Sequence, residues 1–323
     1  VSTERVRVHA PSRLHFGVLD LRGHRGRRFG GMGAAVSEPG LDLEARPADE
    51  LSVSGPEAGR AQVFAERYLA GEGLRGGARI TIRRVMPAHR GLGSGTQLAL
   101  AVATAVALLY RRPTDPLRLA QLVRRGARSA VGTWLFRDGG FVLEGGRREA
   151  GGVAPLLVRH PMPERWHAVV AIPDAAPGLS GDEEARAFHD LPAASEPEVE
   201  RVSHVVLMQL LPALVEADLA SFGEALTEVQ TITGGWFASQ QGGAFAAGPT
   251  RRLIEVLRSG GAAGVGQSSW GPTVYGIVAG PADAAALAAE AAALVGEGGR
   301  VATVPFSNRG AQVIHDTNGG FTD

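Results

Sequence analysis

The segment Pro87-Ala88-His89-Arg90-Gly91-Leu92-Gly93-Ser94-Gly95-Thr96-Gln97 holds the densest chemistry in this sequence, and it runs straight into an apolar stretch ending at Leu109. Glycines at three alternate positions let the backbone bend sharply and approach a ligand more closely than a Cβ would permit. A helix beginning there would turn its unpaired N–H groups and the positive end of its dipole back onto the loop. Such a loop is an anion site, and phosphate is its commonest occupant. Ser94 and Thr96 add hydroxyls for phosphate oxygens or a metal-bound water. A glycine turn capped by Ser94 or Thr96 explains one cap, but not three glycines beside two hydroxyls, so phosphate binding is the reading we favour.

Three further sets of residues carry chemistry. Ser12, Arg13, His15 and Asp20 lie close together in Ala10–Asp20. On a strand, Arg13 and His15 share one face and Ser12 and Leu14 the other. Arg13 could grip a phosphate or a carboxylate bidentately; the alternative is a solvent-facing edge with His15 bonded to backbone. Gln267, Ser268 and Ser269, in the glycine-rich Gly264–Thr273, suit an anionic or sugar ligand, with Trp270 read as a core anchor. Arg128 and Thr133 lie in between; Arg128 either caps carbonyls at a helix end or faces the same pocket. Asp174 follows a strand end, where it serves as a base, a metal ligand or a turn cap. Arg22, Arg25, Arg27 and Arg28, with Gly30-Gly31-Met32-Gly33 after them, read as a solvated loop in preference to a mobile basic lid. The histidines show no zinc-binding spacing, and neither H-E-x-x-H nor G-x-S-x-G occurs.

The elements that must position these groups follow from periodicity. Val6–Val8 and Leu14–Val18 alternate as two strands broken at Pro11, and Leu41–Ala45, Leu51–Val53 and Arg79–Val85 read as strands. Ala61–Leu69 is helical. Pro116–Ala130 reads as a helix capped by Asp115. Phe141–Leu143 is a strand between glycine pairs. Beyond a glycine-rich boundary near Gly145–Pro155, Trp166–Ile172 is a buried strand and Arg186–Pro197 irregular. Glu198–Leu214, Leu219–Thr231, Thr250–Ser259 and Pro281–Val295 read as helices, Val265–Val278 as a loop rich in glycine and serine that ends in a strand, and Val301–Val304 as a terminal strand. Interspersed helices and strands in both halves predict an α+β chain of two domains, 1–155 and 156–323.

Composition narrows the function. The 323 residues suffice for two cores, and 44% hydrophobic and 20% charged residues are the mix of a globular protein. The formal net charge is zero, so no global field draws the chain to nucleic acid or an anionic membrane. All 33 basic side chains are arginine, so no lysine is available for a Schiff base or a phosphate loop. The absence of cysteine removes disulfides, thiolate nucleophiles and cysteine zinc sites. No signal peptide or membrane-length apolar run is evident, and a cytoplasmic protein is expected.

Together these residues resemble the GHMP kinase superfamily, named for galactokinase, homoserine, mevalonate and phosphomevalonate kinases. Gly91–Gln97 matches its phosphate-binding motif P-x-x-x-G-L-G-S-S-A, with Gly95-Thr96-Gln97 in place of the usual Ser-Ala-Ala. Gly264–Thr273 falls where the C-terminal glycine-rich motif does. Pro11-Ser12-Arg13-Leu14-His15-Phe16-Gly17, Gly91–Gln97 and Gly139-Gly140-Phe141 are similar to one branch, the β-ribofuranosylaminobenzene 5′-phosphate synthase family of methanopterin biosynthesis. The resemblance implies a GHMP-kinase-like two-domain fold, with an N-terminal domain like the second domain of a small-subunit ribosomal protein and a ferredoxin-like C-terminal domain. It also implies a glycosyltransferase that joins phosphoribosyl pyrophosphate to 4-aminobenzoate or 4-hydroxybenzoate, releasing carbon dioxide and pyrophosphate.

On that resemblance, the amides of Gly93–Thr96, arginines and Mg²⁺ would stabilise the leaving group, with no organic cofactor and with the metal ligands unassigned. Arg13 or Arg128 would orient the benzoate carboxylate, and His15, Asp20 or Asp174 would hold the metal or the ribose hydroxyls. Ser12, Gly91, Gly93, Ser94, Gly95, Thr96, Gln97, Thr133, Gln267, Ser268 and Ser269 would line the substrates. Small-molecule substrates and a homodimer, without nucleic acid or membrane partners, complete the expectation. The rivals are an ATP-dependent kinase of small alcohols and a non-catalytic binding protein on the same scaffold.

Overall fold

The computed structural model describes residues 4–317. The first part of the chain forms β1 (Arg5–Asp20), β2 (Phe29–Ala48), β3 (Ser52–Ser54), α1 (Ala58–Gly71), β4 (Gly77–Arg84), α2 (Ser94–Leu109), α3 (Pro116–Leu122), α4 (Val131–Asp138), β5 (Phe141–Glu144) and β6 (Leu156–His160). Next come β7 (His167–Ile172), α5 (Gly181–Asp190), α6 (Glu196–Val205), a π turn (Val206–Leu210), α7 (Leu211–Glu216) and α8 (Leu219–Trp236). The last elements are α9 (Ala238–Gln241), α10 (Pro249–Ser259), β8 (Gly264–Gln267), β9 (Val274–Val278), α11 (Pro281–Ala292), β10 (Arg300–Pro305) and β11 (Gln312–Asp316).

Two sheets result. The larger runs β11-β1-β2-β4-β3, with β5 continuing from β2 and β6 from β5. The smaller is antiparallel in the order β10-β7-β9-β8. Its chain order, β7-α8-β8-β9-α11-β10, with the first and third strands central, is the expected ferredoxin-like arrangement. The division expected at 155 and 156 does not separate the sheets. β6 pairs with β5, and β11 returns from the far end of the chain to pair with β1.

Helix α2 packs on β1 and β2, and every residue from Gln97 to Ala107 is buried. A helix apolar on all sides can only sit inside a core, and this one fixes the direction in which its N-terminus points. Several local expectations change. Pro11 does not break the first strand; β1 runs through it, with register shifts at Ala10/Ser12 and His15/Gly17. Arg22, Arg25, Arg27 and Arg28 lie in the loop between β1 and β2, as expected, while Gly30–Gly33 after them is buried inside β2 between β1 and β5. Asp115 caps α3 as expected, accepting the Arg118 N–H at 2.9 Å, but the helix stops at Leu122. The following loop, with Arg124 in the left-handed region, leads into the separate α4. Arg186–Pro197, expected to be irregular, contains the second half of α5 and the first two residues of α6.

Candidate active site

Between the two sheets lies a cavity of about 580 Å³. Three sequence motifs meet at its wall. Gly91, at φ 82°, lies so close to the C-terminal loop that a Cβ would come within 2.1 Å of the Ser268 carbonyl. Ser268 Oγ donates to the Gly91 carbonyl at 2.6 Å and accepts the His15 N–H at 2.9 Å. Arg13 Nη1 donates to the same Gly91 carbonyl at 3.0 Å. Ser268, fully buried, is thus the joint between β1, the glycine loop and the C-terminal loop, and it does not line the cavity.

The glycine loop delivers the expected helix start. Gly93 occupies the N-cap position of α2, without a side-chain cap from Ser94 or Thr96. The amides of Thr96 and Gln97 close onto the Gly93 carbonyl, leaving those of Ser94 and Gly95 without protein acceptors among the described residues. Around this end converge three guanidinium groups. A Cβ on Gly95 would lie 2.8 Å from Arg60 Nη2 and 3.2 Å from Arg125 Nη2, and one on Gly93 would lie 3.1 Å from Arg13 Cβ. Arg60 is tied to Glu57 at 2.7 Å, whereas the buried Nε atoms of Arg13 and Arg125 have no partner among the described residues. Burial lowers both of these arginines to about 10, and for Arg125 the charges of Arg60 and Arg67 add to the effect. Both remain cationic at neutral pH. Unpaired amides at a helix start, beside crowded, desolvated cations with unmet donors, are an arrangement suited to a multiply charged anion.

His15 shares the cavity wall with Arg13, as strand alternation required. Burial first, then the Arg13 charge, lowers its imidazole to about 3, so the ring is neutral. Its Nδ1 accepts the Gly17 N–H at 3.3 Å, which assigns the proton to Nε2. Behind it Glu144, fully buried, accepts N–H groups from Ala130 at 3.3 Å and Gly146 at 2.7 Å. Burial raises this carboxyl to about 7.

Another part of the cavity wall is aromatic. Phe188 packs edge-on against Phe29, Phe237 and Trp270, and Phe237 against Trp270, with ring centroids 5.0 to 5.8 Å apart. Arg128 lies over the Phe188 ring at 5.5 Å and pairs with Glu184, which also accepts the Trp270 indole N–H at 3.2 Å. Phe29, His89, Arg124 and Ser269 line the cavity with left-handed backbone, a conformation that is costly for residues with side chains.

Of the expected residues, Arg13, His15, Gly91, Gly93, Ser94, Gly95, Thr96, Arg128, Gln267 and Ser269 line this cavity. The others do not. Ser12 is buried and donates to the Pro39 carbonyl. Asp20 caps its own turn, accepting the N–H groups of Arg22 at 2.6 Å and Gly23 at 3.1 Å. Gln97 is buried and donates to the Gly132 carbonyl at 2.9 Å, tying α2 to α4, while Thr133 is buried within α4. Asp174 stands at the end of β7 against Gly296 and Gly298. Gln267 reaches the cavity but is committed to Gln241, Ser269 and Ala246. Missed by sequence reasoning were Arg60, Arg125, Glu184, Phe188, Gln230, Thr233 and Phe237.

A resident Mg²⁺ does not fit this donor set. Among the described residues Glu184 is the one carboxylate lining the cavity, already engaged by Arg128 and Trp270. No group of three acidic or histidine side chains placed to hold a metal occurs among the described residues. Nor is any described helix long and apolar enough to cross a membrane.

Comparison with known proteins bears on the same two regions. Residues 59–134 match the GHMP kinases N terminal domain and residues 210–296 the GHMP kinases C terminal domain. The Beta-ribofuranosylphenol 5'-phosphate synthase of Methanothermobacter thermautotrophicus is 34% identical over 95% of this chain and 98% of its own length. The protein of that name from Archaeoglobus fulgidus is 32% identical over 84% and 87%. Among solved structures, Lactococcus lactis galactokinase in complex with galactose superimposes with a TM-score of 0.70 at 14% identity, over 96% of this chain and 95% of that one. With both domain matches and similarity to the synthases over most of the chain, the chain belongs to the GHMP kinase superfamily and, within it, to the β-ribofuranosylphenol 5′-phosphate synthase family, enzymes of pentosyltransferase type.

Proposed function

We propose that this enzyme joins 5-phosphoribosyl 1-pyrophosphate to 4-hydroxybenzoate or 4-aminobenzoate. The products are a β-ribofuranosyl-aryl 5′-phosphate, carbon dioxide and pyrophosphate, in methanopterin biosynthesis. The observation that carries this reading is that one cavity is lined both by the cationic groups at the start of α2 and by an aromatic box. The names of the synthase relatives, which denote a phenol product, support 4-hydroxybenzoate.

In this reading the donor's diphosphate lies against the Ser94 and Gly95 amides, Arg13, Arg60 and Arg125. As the bond from the anomeric carbon to the pyrophosphate oxygen breaks, its electron pair leaves with pyrophosphate, whose charge these preorganised donors meet. The ring carbon bearing the carboxylate attacks the anomeric carbon, forming the C–C bond. Loss of carbon dioxide then returns the electron pair to the ring and restores its aromaticity. The electrons balance without a side-chain nucleophile or base, as a neutral His15 and a chain without lysine or cysteine allow. Arg128, stacked on Phe188, takes the benzoate carboxylate by exchanging its Glu184 partner. Mg²⁺ enters only as a counter-ion carried on the donor's diphosphate. A cytoplasmic homodimer acting on small molecules, with neither nucleic acid nor membrane as partner, completes the proposal.

The kinase fold of the structural neighbours favours the second reading, phosphoryl transfer from ATP to a small alcohol. Product analysis separates the two. Incubation with phosphoribosyl pyrophosphate and carboxyl-labelled benzoate is expected to release label as carbon dioxide in equal amount to pyrophosphate. Accumulation of ADP from ATP and an alcohol, with no labelled gas from the benzoates, would replace the first reading by the second.

A further inference from the structure

Helix α8 presents a polar pair that the reaction described above does not use. Gln230 and Thr233, one turn apart, are 5% and 3% exposed, and both line the cavity. Gln230 Oε1 accepts the Gln267 N–H at 2.8 Å, which fixes the amide's orientation and leaves Nε2 as its free end. On the same helix, Thr227 and Thr231 donate their hydroxyls to the carbonyls of Gly223 and Thr227, each at 2.8 Å. Thr233 makes no such back-bond, and neither its Oγ1 nor Gln230 Nε2 has a protein partner among the described residues. A buried donor without an acceptor is costly unless water or a ligand supplies one.

Neighbouring strands close off other directions. A Cβ on Gly266 would lie 2.8 Å from Gln230 Cδ, and one on Gly17 would lie 3.4 Å from Thr233 Oγ1 and 3.0 Å from Val229 Cγ1. β8 and β1 therefore back the two side chains, and the cavity is the open side. One turn beyond Thr233, Phe237 enters the aromatic box. The pair thus stands on the helix whose C-cap residue belongs to the box.

We propose that Gln230 and Thr233 are the acceptor-specificity residues: they bind the substituent para to the benzoate carboxylate and select hydroxyl over amino. This rests on the benzoate-ribosylating reaction proposed above. The amide Nε2–H donates to the phenolic oxygen, and Thr233 Oγ1 accepts the phenolic proton. An aniline nitrogen is a poor match, because its lone pair is delocalised into the ring and it offers only N–H donors to the facing amide. Sites built to hydrogen-bond one group reject an analogue that leaves a buried donor unpaired.

The test is the ratio of kcat/KM for 4-hydroxybenzoate to that for 4-aminobenzoate, at saturating phosphoribosyl pyrophosphate. It is measured in the wild-type enzyme and in Gln230→Glu, Thr233→Val and Thr233→Ser, together with the donor KM. Glutamate keeps an oxygen for the Gln267 N–H but puts an acceptor where Nε2 stood. The wild type is expected to prefer the hydroxy acid by about tenfold or more. Gln230→Glu is expected to reverse or level that preference, and Thr233→Val to lower hydroxybenzoate turnover about tenfold, with Thr233→Ser restoring it. The donor KM should move by no more than about twofold. Should Gln230→Glu fail to fold, the valine and serine pair decides. A ratio unmoved in every folded variant, or a loss confined to the donor KM, overturns the assignment while the reaction stands. A wild-type enzyme that uses neither benzoate removes the reaction and the assignment together.

Discussion

Gly95→Ala separates the structural from the chemical demand on the glycine loop. Gly95 is the second residue of α2, and alanine inside a helix is favoured over glycine by about 0.5–1 kcal/mol. The added methyl would meet Arg60 Nη2 at 2.8 Å and Arg125 Nη2 at 3.2 Å. Both are ends of long side chains, so they can retreat without disturbing the core, and the thermal midpoint should hold or rise. The anion receptor should suffer, because the methyl occupies the space in which two guanidinium groups face the helix start. A hydrogen bond to a charged group contributes about 1.5–3 kcal/mol. Losing one such contact would weaken donor binding about 10- to 150-fold. The assay is initial-rate kinetics with varied phosphoribosyl pyrophosphate, beside inhibition by inorganic pyrophosphate and a thermal melt. A donor kcat/KM and a pyrophosphate inhibition constant both within twofold of wild type, in a folded protein, would refute the reasoning. A collapsed melting temperature would show that Gly95 is needed for packing instead.

Three further outcomes follow from the same geometry. Arg125→Met removes a cation that burial and the charges of Arg60 and Arg67 already disfavour, so urea denaturation should show equal or greater stability. Its pyrophosphate affinity should nevertheless fall by about tenfold or more. The pH dependence of stability should show opposed contributions from His15 and Glu144. His15, lowered from 6.5 to about 3, makes stability rise with pH across that window, whereas Glu144, raised from 4.5 to about 7, makes it fall across the latter. The two should largely cancel between their overlapping limits, and Glu144→Gln should expose a rise in stability of about 1.4 kcal/mol per pH unit there, read by denaturant titration at a series of pH values. Finally, five arginines and one glutamate line the cavity of a chain with no net charge. The donor kcat/KM should therefore fall as salt rises through the range where the screening length shrinks below about 10 Å, and a salt-independent value would count against the cationic receptor.

What was legible in the sequence was local. Three alternate glycines before an apolar run specify a turn and a buried helix whatever surrounds them. Strand alternation placed Arg13 and His15 on one face, and Asp115 capped α3 by a contact three residues away. The anion receptor's other half was not legible. Arg60 and Arg125 come from α1 and from the loop after α3, and in a chain whose every basic residue is arginine the residue type singles out neither. Asp20 looked catalytic, yet a carboxylate two and three residues before free amides folds onto its own turn. Ser268 looked like a ligand, but it is consumed in joining the glycine loop to β1. Helix α5 escaped because only Ala187 on it is buried, which leaves no apolar periodicity to read. β11 pairs with a strand some three hundred residues earlier, and Gly30–Gly33 is strand because β1 and β5 flank it; neither pairing leaves a local signal.

The central claim is that the start of α2, with Arg13, Arg60 and Arg125, holds the diphosphate of the sugar donor. A crystal structure with phosphoribosyl pyrophosphate or pyrophosphate bound tests it most directly. The account expects phosphate oxygens within hydrogen-bonding distance of the Ser94 and Gly95 amides and of at least two of those guanidinium groups. Diphosphate bound elsewhere in the molecule, with those amides facing only solvent or protein, would contradict it.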